Sequence, residues 1–87
     1  MFIEQKLAMK NWDTIDGQLT KQFSFKDFVS AVHFVDAIAE VAEAHNHHPD
    51  ILIHSYKQVK VTLFTHDAKA ITDKHYTLAE AIDTLAS

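Results

Sequence analysis

The chain has 87 residues, a length that predicts one domain over residues 1–87, with 47% apolar and 23% charged residues as in ordinary soluble globular domains. It has no cysteine, which excludes disulfides and cysteine nucleophiles, and its single glycine, Gly17, excludes a glycine-rich phosphate-binding loop. Its eight basic residues are all lysines and its formal net charge is −4, so we expect no direct binding to nucleic acid. No apolar run is long enough to span a membrane and the N-terminus lacks a secretory signal pattern, so we expect no membrane association and a cytoplasmic location.

The seven histidines are the unusual feature of this composition. An imidazole has a pKa near 6.5, so one ring can donate a proton and another can accept one at neutral pH. Protonating all seven would add seven positive charges and move the formal net charge from −4 to +3. The histidines are therefore the first candidates for function.

The first predicted elements are a short helical turn over residues 2–9 and a β-hairpin around the turn signal Asp16-Gly17. The second strand of the hairpin is predicted over residues 19–25, because its apolar and polar residues alternate. The polar positions of this strand are Thr20, Gln22 and Ser24.

A long helix is predicted next, over residues 26–44, and Ser24 with Asp27 resembles the capping box that precedes a helix. Its apolar residues recur at helical spacing but cover more than one stripe, which indicates packing against the sheet and against a second copy of the chain. The polar residues form a single stripe, made of His33, Asp36, Glu40, Glu43 and His47. We expect the first three of these to be exposed to solvent.

Pro49 limits the long helix, because a residue that precedes proline is restricted to extended geometry and the helix must therefore end by His48. A second hairpin follows, with a short buried strand over residues 51–53. Its partner strand alternates over residues 59–64 and ends at residues 65–67.

The final predicted element is a helix over residues 73–86, with Thr72 as its N-cap. The element order is (α)ββαββα. This order predicts an α+β fold in which helices pack on one face of an antiparallel sheet.

Three places in the chain could carry histidine chemistry. Glu43 lies four residues before the adjacent pair that begins with His47, at the end of the long helix. His66 ends a strand, and His75 lies in the first turn of the final helix. A histidine from a strand end would complete an acid–base pocket if the two loops meet in space. The remaining histidines, which we expect at the surface, are His33, His45 and His54.

A metal site is the alternative use of these histidines, since five of them lie between residues 45 and 66. None has His-x-x-x-His spacing on a predicted helix, and thiolate ligands are absent. Adjacent His47 and His48 would also point to opposite sides of an extended backbone. We therefore predict no metal site.

Several stretches of the sequence together carry a specific pattern. They are Phe23-Ser24-Phe25-Lys26-Asp27-Phe28, Val41-Ala42-Glu43, His47-His48-Pro49-Asp50 and the run from Tyr56 to Asp67. The His-His-Pro motif, the Tyr-x-x-Val-x-Val-x-Leu strand and the Thr-His pair that follows it resemble the pterin-4a-carbinolamine dehydratase family. The resemblance covers the chain from about Trp12 to its C-terminus.

This resemblance implies an αββαββα fold, a homodimer or homotetramer, and an enzyme that needs neither metal nor cofactor. It implies a hydro-lyase that dehydrates 4a-hydroxytetrahydropterin to quinonoid dihydropterin and so recycles the pterin cofactor of aromatic amino-acid hydroxylases. Expelling water from C4a needs a proton delivered to the hydroxyl group and another removed from N5, which imidazoles can do near neutral pH.

The resemblance also implies roles for individual residues. Three histidines match the catalytic ones of the family: His47, His48 and His66. The matching helix-end carboxylate is Glu43, and the residues expected to line the pterin pocket beside it are Asn46, Thr65 and Asp67. We expect His48 and His66 to exchange protons with the substrate, while His47 and Glu43 position the pterin ring.

The sequence departs from the family pattern in three places. His75 stands where the family has an aspartate that can orient an active-site imidazole, and Asp73 is a possible substitute for it. One extra residue near Ser55 could form a β-bulge in the second hairpin, and the first helix is short or absent. These departures leave a second hypothesis: a pterin-binding, dimerisation or assembly protein of the same fold, with weak or no dehydratase activity.

Overall fold

The computed structural model describes residues 12–15, 17–64 and 73–86. Within these ranges the strands are β1 (Asp13–Ile15), β2 (Gln18–Ser24), β3 (Asp50–His54) and β4 (Gln58–Leu63). The helices are α1 (Phe28–His45) and α2 (Asp73–Ala86). The predicted helical turn over residues 2–9 and the predicted cap Thr72 lie outside the described residues.

The four strands form one antiparallel sheet in the order β1-β2-β4-β3. Both helices pack on the same face of this sheet, which confirms the predicted α+β class. β2 and β4 are the central strands of the sheet, and α1 and α2 pack against one face of these two strands.

The alternation of side chains decides which face of the sheet is buried. In β4, Val59, Val61 and Leu63 are fully buried against the helices, while Lys60 between them is exposed. Phe23 pairs with Val59 across β2 and β4, so it lies on the same face. The predicted alternation of this strand is confirmed.

β3 alternates as well, which corrects the expectation of a wholly buried strand. Ile51 and Ile53 pack against the core, but Leu52 is 54% exposed on the opposite face of the sheet. β3 is an edge strand, and the two helices of the described residues lie on the other face from Leu52, so this side chain meets solvent.

The start of α1 differs from the predicted capping box. Asp27 is the N-cap, in an extended conformation, and its Oδ1 accepts a hydrogen bond of 2.8 Å from the backbone N–H of Ser30. This hydrogen bond lowers the pKa of the Asp27 carboxyl, because it favours the charged form. Ser24 instead ends β2. The buried stripe of α1 consists of Ala31, Phe34, Ile38 and Ala42.

The extra residue near Ser55 lies in the β3–β4 turn and produces no bulge. Ser55 and Tyr56 adopt positive φ angles of 50° and 53°, and the Lys57 amide donates to the Ser55 carbonyl at 2.6 Å. The strand pairing runs without interruption from Asp50–Thr62 to His54–Gln58. Two left-handed residues thus take up the added length before the ladder begins.

In the part of the chain that the structure describes, no helix combines the length and apolar character needed to cross a bilayer.

Candidate functional site

The end of α1 sets the position of the paired histidines. Asn46 adopts the left-handed conformation, with φ 53° and ψ 43°, and its amide donates to the Glu43 carbonyl. The His47 amide donates back to the Ala42 carbonyl at 3.1 Å. These two hydrogen bonds form a Schellman motif, which ends the helix at His45. The chain leaves the helix through this motif before Pro49 is reached.

The two adjacent histidines then face different surroundings, as their spacing predicted. His47 is buried, with 8% of its surface exposed, whereas 63% of the His48 side chain is exposed. His47 therefore lies in the protein interior. His48 faces the solvent side, where a substrate could reach it.

His48 is paired with the carboxylate of Glu43. The distance from His48 Nε2 to Glu43 Oε2 is 2.6 Å, and three quarters of the Glu43 side chain is exposed. A carboxylate oxygen only accepts, so His48 Nε2 carries the hydrogen and Nδ1 is left as the nitrogen that accepts a proton in the neutral ring. The pairing thus selects a tautomer and an orientation for an exposed imidazole.

His75 reaches the same region from the other helix. It lies in the first turn of α2, as predicted, and is fully buried. The centroids of the His75 and His47 rings are 4.9 Å apart, with an angle of 70° between their planes. Burial lowers the pKa of His75, and the nearby charge of protonated His47 lowers it further, so the neutral form is favoured.

The other predicted site residues divide into two groups. The Asn46 side chain is exposed, and its backbone ends α1. The residues that lie outside the described part of the chain are Thr65, His66 and Asp67. Asp73 begins α2, but its side chain also lies outside the described part. The meeting of His48 with His66 therefore stays a prediction.

None of the contacts described above involves the three remaining histidines. His33 and His45 are exposed on α1, as predicted. His54 is partly buried in β3, where its Nε2 is 2.8 Å from Gln22 Oε1 and its Nδ1 is 3.3 Å from Ser55 Oγ. His54 thus has a part in holding the second hairpin to β2.

A metal site would need several ligand side chains close together in space. Among residues 12–15, 17–64 and 73–86, no three histidine, aspartate or glutamate side chains are grouped so that they could hold a metal ion.

A polar cluster that the sequence analysis missed fixes the far end of α2. Asp83 Oδ2 accepts a hydrogen bond of 3.0 Å from Trp12 Nε1, and Asp83 Oδ1 is 2.7 Å from Lys21 Nζ. Trp12 is 4% exposed, and the Lys21 ammonium also lies 4.9 Å from the ring centroid of Phe23. We call Trp12, Lys21 and Asp83 the α2 anchor. In the sequence, Lys21 stands between Leu19 and Phe23 on the apolar face of β2. A charged residue at an apolar position was the signal by which this cluster could have been found.

With this geometry established, comparison with known proteins identifies the class. The family model of pterin 4 alpha carbinolamine dehydratase matches residues 2–85. A relative from Picosynechococcus sp. is 46% identical over 74 residues, which cover 85% of this chain and 79% of the relative. A relative from Herpetosiphon aurantiacus is 43% identical over 84 residues, which cover 95% and 86%. Both relatives carry the name "Putative pterin-4-alpha-carbinolamine dehydratase". The chain belongs to the pterin 4 alpha carbinolamine dehydratase family.

Two solved structures share the fold. A transcriptional coactivator/pterin dehydratase from Brucella melitensis matches with a TM-score of 0.85 and 32% identity, over 99% of this chain and 93% of that one. A pterin dehydratase-like protein identified as a RuBisCO assembly factor in the alpha-carboxysome matches with a TM-score of 0.72 and 25% identity, over 87% of each chain. The fold is therefore found in proteins described by an enzymatic name and by an assembly role.

Proposed function

We propose that this protein dehydrates 4a-hydroxytetrahydropterin to quinonoid dihydropterin by histidine acid–base catalysis, without a metal or a cofactor. The observation that carries the proposal is the Glu43–His48 hydrogen bond beside buried His47, in a chain that belongs to the dehydratase family. A carboxylate that orients an exposed imidazole is the arrangement that a general acid or base needs.

The proposed reaction eliminates water across the C4a–N5 bond. An acid donates a proton to the C4a hydroxyl group, the C4a–O bond breaks and water leaves. A base removes the proton from N5, and the N5 electron pair forms the C4a=N5 double bond. In this proposal His48 and His66 exchange these protons with the substrate. The pairing of His48 with Glu43 is compatible with His48 as either the acid or the base.

The other residues position the substrate in this proposal. His47 forms the buried wall against which the pterin ring lies, and Glu43 orients His48. Asn46, Thr65 and Asp67 supply polar groups around the pocket. Because each proton transfer needs hydrogen-bond distances of about 2.6–3.2 Å, the placement of the ring decides the rate.

The first test is a dehydratase assay on purified, chelator-treated protein. We expect it to accelerate the dehydration of 4a-hydroxytetrahydropterin, and we expect His48→Ala and His66→Ala each to lower kcat by about 10²-fold or more. His33→Ala, at an exposed histidine of α1, is the matched control and should keep wild-type activity. Loss of activity on chelation alone would contradict the metal-free mechanism.

An assembly or binding protein is the second candidate. It is favoured by the similarity to the RuBisCO assembly factor and by His75 in place of the family aspartate. Pterin binding without turnover in the same assay would support this candidate. A large gain in activity from His75→Asp would indicate that the natural chain has moved away from the dehydratase role.

We further propose a homodimer or homotetramer that acts in the cytoplasm alongside an aromatic amino-acid hydroxylase. Support for self-association comes from the start of α1, where Phe28 and Val29 are 53% and 58% exposed. Sedimentation equilibrium of the wild type against Val29→Lys would test this: the variant should dissociate, and a monomeric wild type would contradict it.

A further inference from the structure

We propose that His75 is a positioning residue, which holds the ring of His47 in one orientation through an edge-to-face contact. The inference extends the proposed function and rests on it for its kinetic test. It concerns a residue at which this chain departs from the family pattern, and it gives that departure a definite role.

The first support is the geometry of the contact. The two ring centroids are 4.9 Å apart and their planes meet at 70°, within the range in which aromatic rings pack edge to face. His75 comes from the first turn of α2, and His47 from the loop after α1. The contact therefore ties the site loop to the second helix.

The second support is burial. His75 is 0% exposed and His47 is 8% exposed, so neither ring can rotate freely into solvent. A buried ring packed against another planar group has few orientations open to it. His48, which is next in the chain, is 63% exposed and is oriented by Glu43 instead. His47 thus packs against His75, whereas His48 is held by its hydrogen bond to Glu43.

The third support is the anchoring of α2. At its other end Asp83 binds Trp12 and Lys21, at 3.0 Å and 2.7 Å. These contacts tie the helix that carries His75 to β2 and to Trp12. The ring of His47 thus packs against an element that is itself anchored in the fold, as precise positioning requires.

The decisive variants are His75→Leu and His75→Phe. Leucine has a similar volume but no planar ring, so we expect kcat to fall about tenfold because a misplaced positioning group lowers the rate. Phenylalanine keeps the flat ring, so we expect kcat to stay within about threefold of the wild type. His33→Leu makes the same chemical change at an exposed position and should leave kcat unchanged.

Stability separates positioning from a merely structural role. Leucine fills nearly the volume of the buried imidazole, so we expect His75→Leu to remain folded at the assay temperature, which a thermal melt checks. Lower kcat in a folded variant is the expected combination. In a His47→Ala background, His75→Leu should have no further effect on kcat, because the two residues act as a unit.

A spectroscopic measurement tests the inference without reference to activity. In ¹⁵N-labelled wild-type protein, NOEs should connect the ring protons of His47 and His75. The His47 ring signals should shift or broaden in His75→Leu and keep a ring-current shift in His75→Phe. Absence of these NOEs, or unchanged His47 signals in His75→Leu, would overturn the inference.

The kinetic and spectroscopic arms distinguish the two possible failures. A wild type that binds but does not dehydrate the pterin refutes the proposed function, and the NMR result then decides the role of His75 alone. If the wild type is active and His75→Leu keeps full kcat, the positioning role is wrong and the proposed function stands. If His75→Phe loses as much activity as His75→Leu, the ring contact is not the cause.

Discussion

Removal of the Asp83 carboxylate is the sharpest test of how α2 is held. Asp83 accepts hydrogen bonds from the Trp12 indole and from the Lys21 ammonium, and the Lys21 and Asp83 side chains are 18% and 23% exposed. A hydrogen bond to a charged group contributes about 1.5–3 kcal/mol, and a buried donor left without its acceptor costs about 1–3 kcal/mol. Because partial exposure reduces the ionic part, we expect Asp83→Ala to cost about 3 kcal/mol in total.

This cost is a large part of the stability of so short a chain. A domain of 87 residues has a free energy of unfolding of about 4–13 kcal/mol, at about 0.05–0.15 kcal/mol per residue. At about 4–8 °C per kcal/mol, the unfolding midpoint should fall by about 12–24 °C. Urea titration at 25 °C, followed by Trp12 fluorescence and by far-UV circular dichroism, measures the free energy directly and tests whether the transition is two-state.

A double-mutant cycle assigns the cost to the contacts. Asp83→Ala in a Lys21→Met background should cost less than in the wild type, because the ionic partner is already gone. Asp36→Ala, which removes an exposed carboxylate of α1, is the control and should change the free energy by less than about 0.5 kcal/mol. If Asp83→Ala behaves like this control, or if the cycle shows no coupling, the anchor does not stabilise α2.

Three further predictions concern the residues around the site. Because burial lowers the pKa of His75, the unfolded chain binds a proton there more readily than the folded protein does. The free energy of unfolding should therefore fall as the pH drops from about 6.5 toward the pKa of His75 in the folded protein, and this loss should be absent above about pH 6.5. Urea midpoints measured from pH 7.5 to 5 should depend less steeply on pH in His75→Leu than in the wild type. Glu43→Gln weakens the hydrogen bond to His48 and should lower kcat about tenfold. Glu40→Gln, one turn earlier on the exposed face, should leave kcat unchanged, and equal kcat values for the two variants would refute the orienting role of Glu43. Since Asn46 has a positive φ, Asn46→Gly should keep the thermal midpoint and Asn46→Val should lower it by several degrees; a tolerated valine would contradict the Schellman ending.

Much of the fold follows from local patterns. The alternation in β4 states which side chains are buried, and the described residues bear this out. In α1 the spacing predicts a helix with one apolar face, but of its apolar residues Phe28 is exposed and Phe34 is buried, so the spacing alone did not state which are covered. His47 and His48 could be assigned to opposite sides because adjacent residues on an extended backbone always point apart. The family resemblance rests on such short stretches as well, which is why it can be seen in the sequence.

Other features depended on details that local patterns do not contain. The sequence showed that Ser24 and Asp27 could both act in a cap, but only the backbone conformation selects Asp27. It suggested a bulge near Ser55, although a turn with two left-handed residues accommodates the extra length. In each case the local sequence allows two solutions, and the backbone conformation of the folded chain shows which one is adopted.

Composition and spacing determined that this is a small α+β chain whose candidate chemistry is that of imidazoles near the end of its long helix. The tertiary structure alone decided that His75 touches His47 and that Asp83 binds Trp12, 71 residues away in the chain. The reason is physical: hydrogen-bonding preferences and side-chain periodicity act over a few residues and can be read along the sequence. A contact between distant residues exists only after the helices have packed on the sheet, because that packing brings their side chains together.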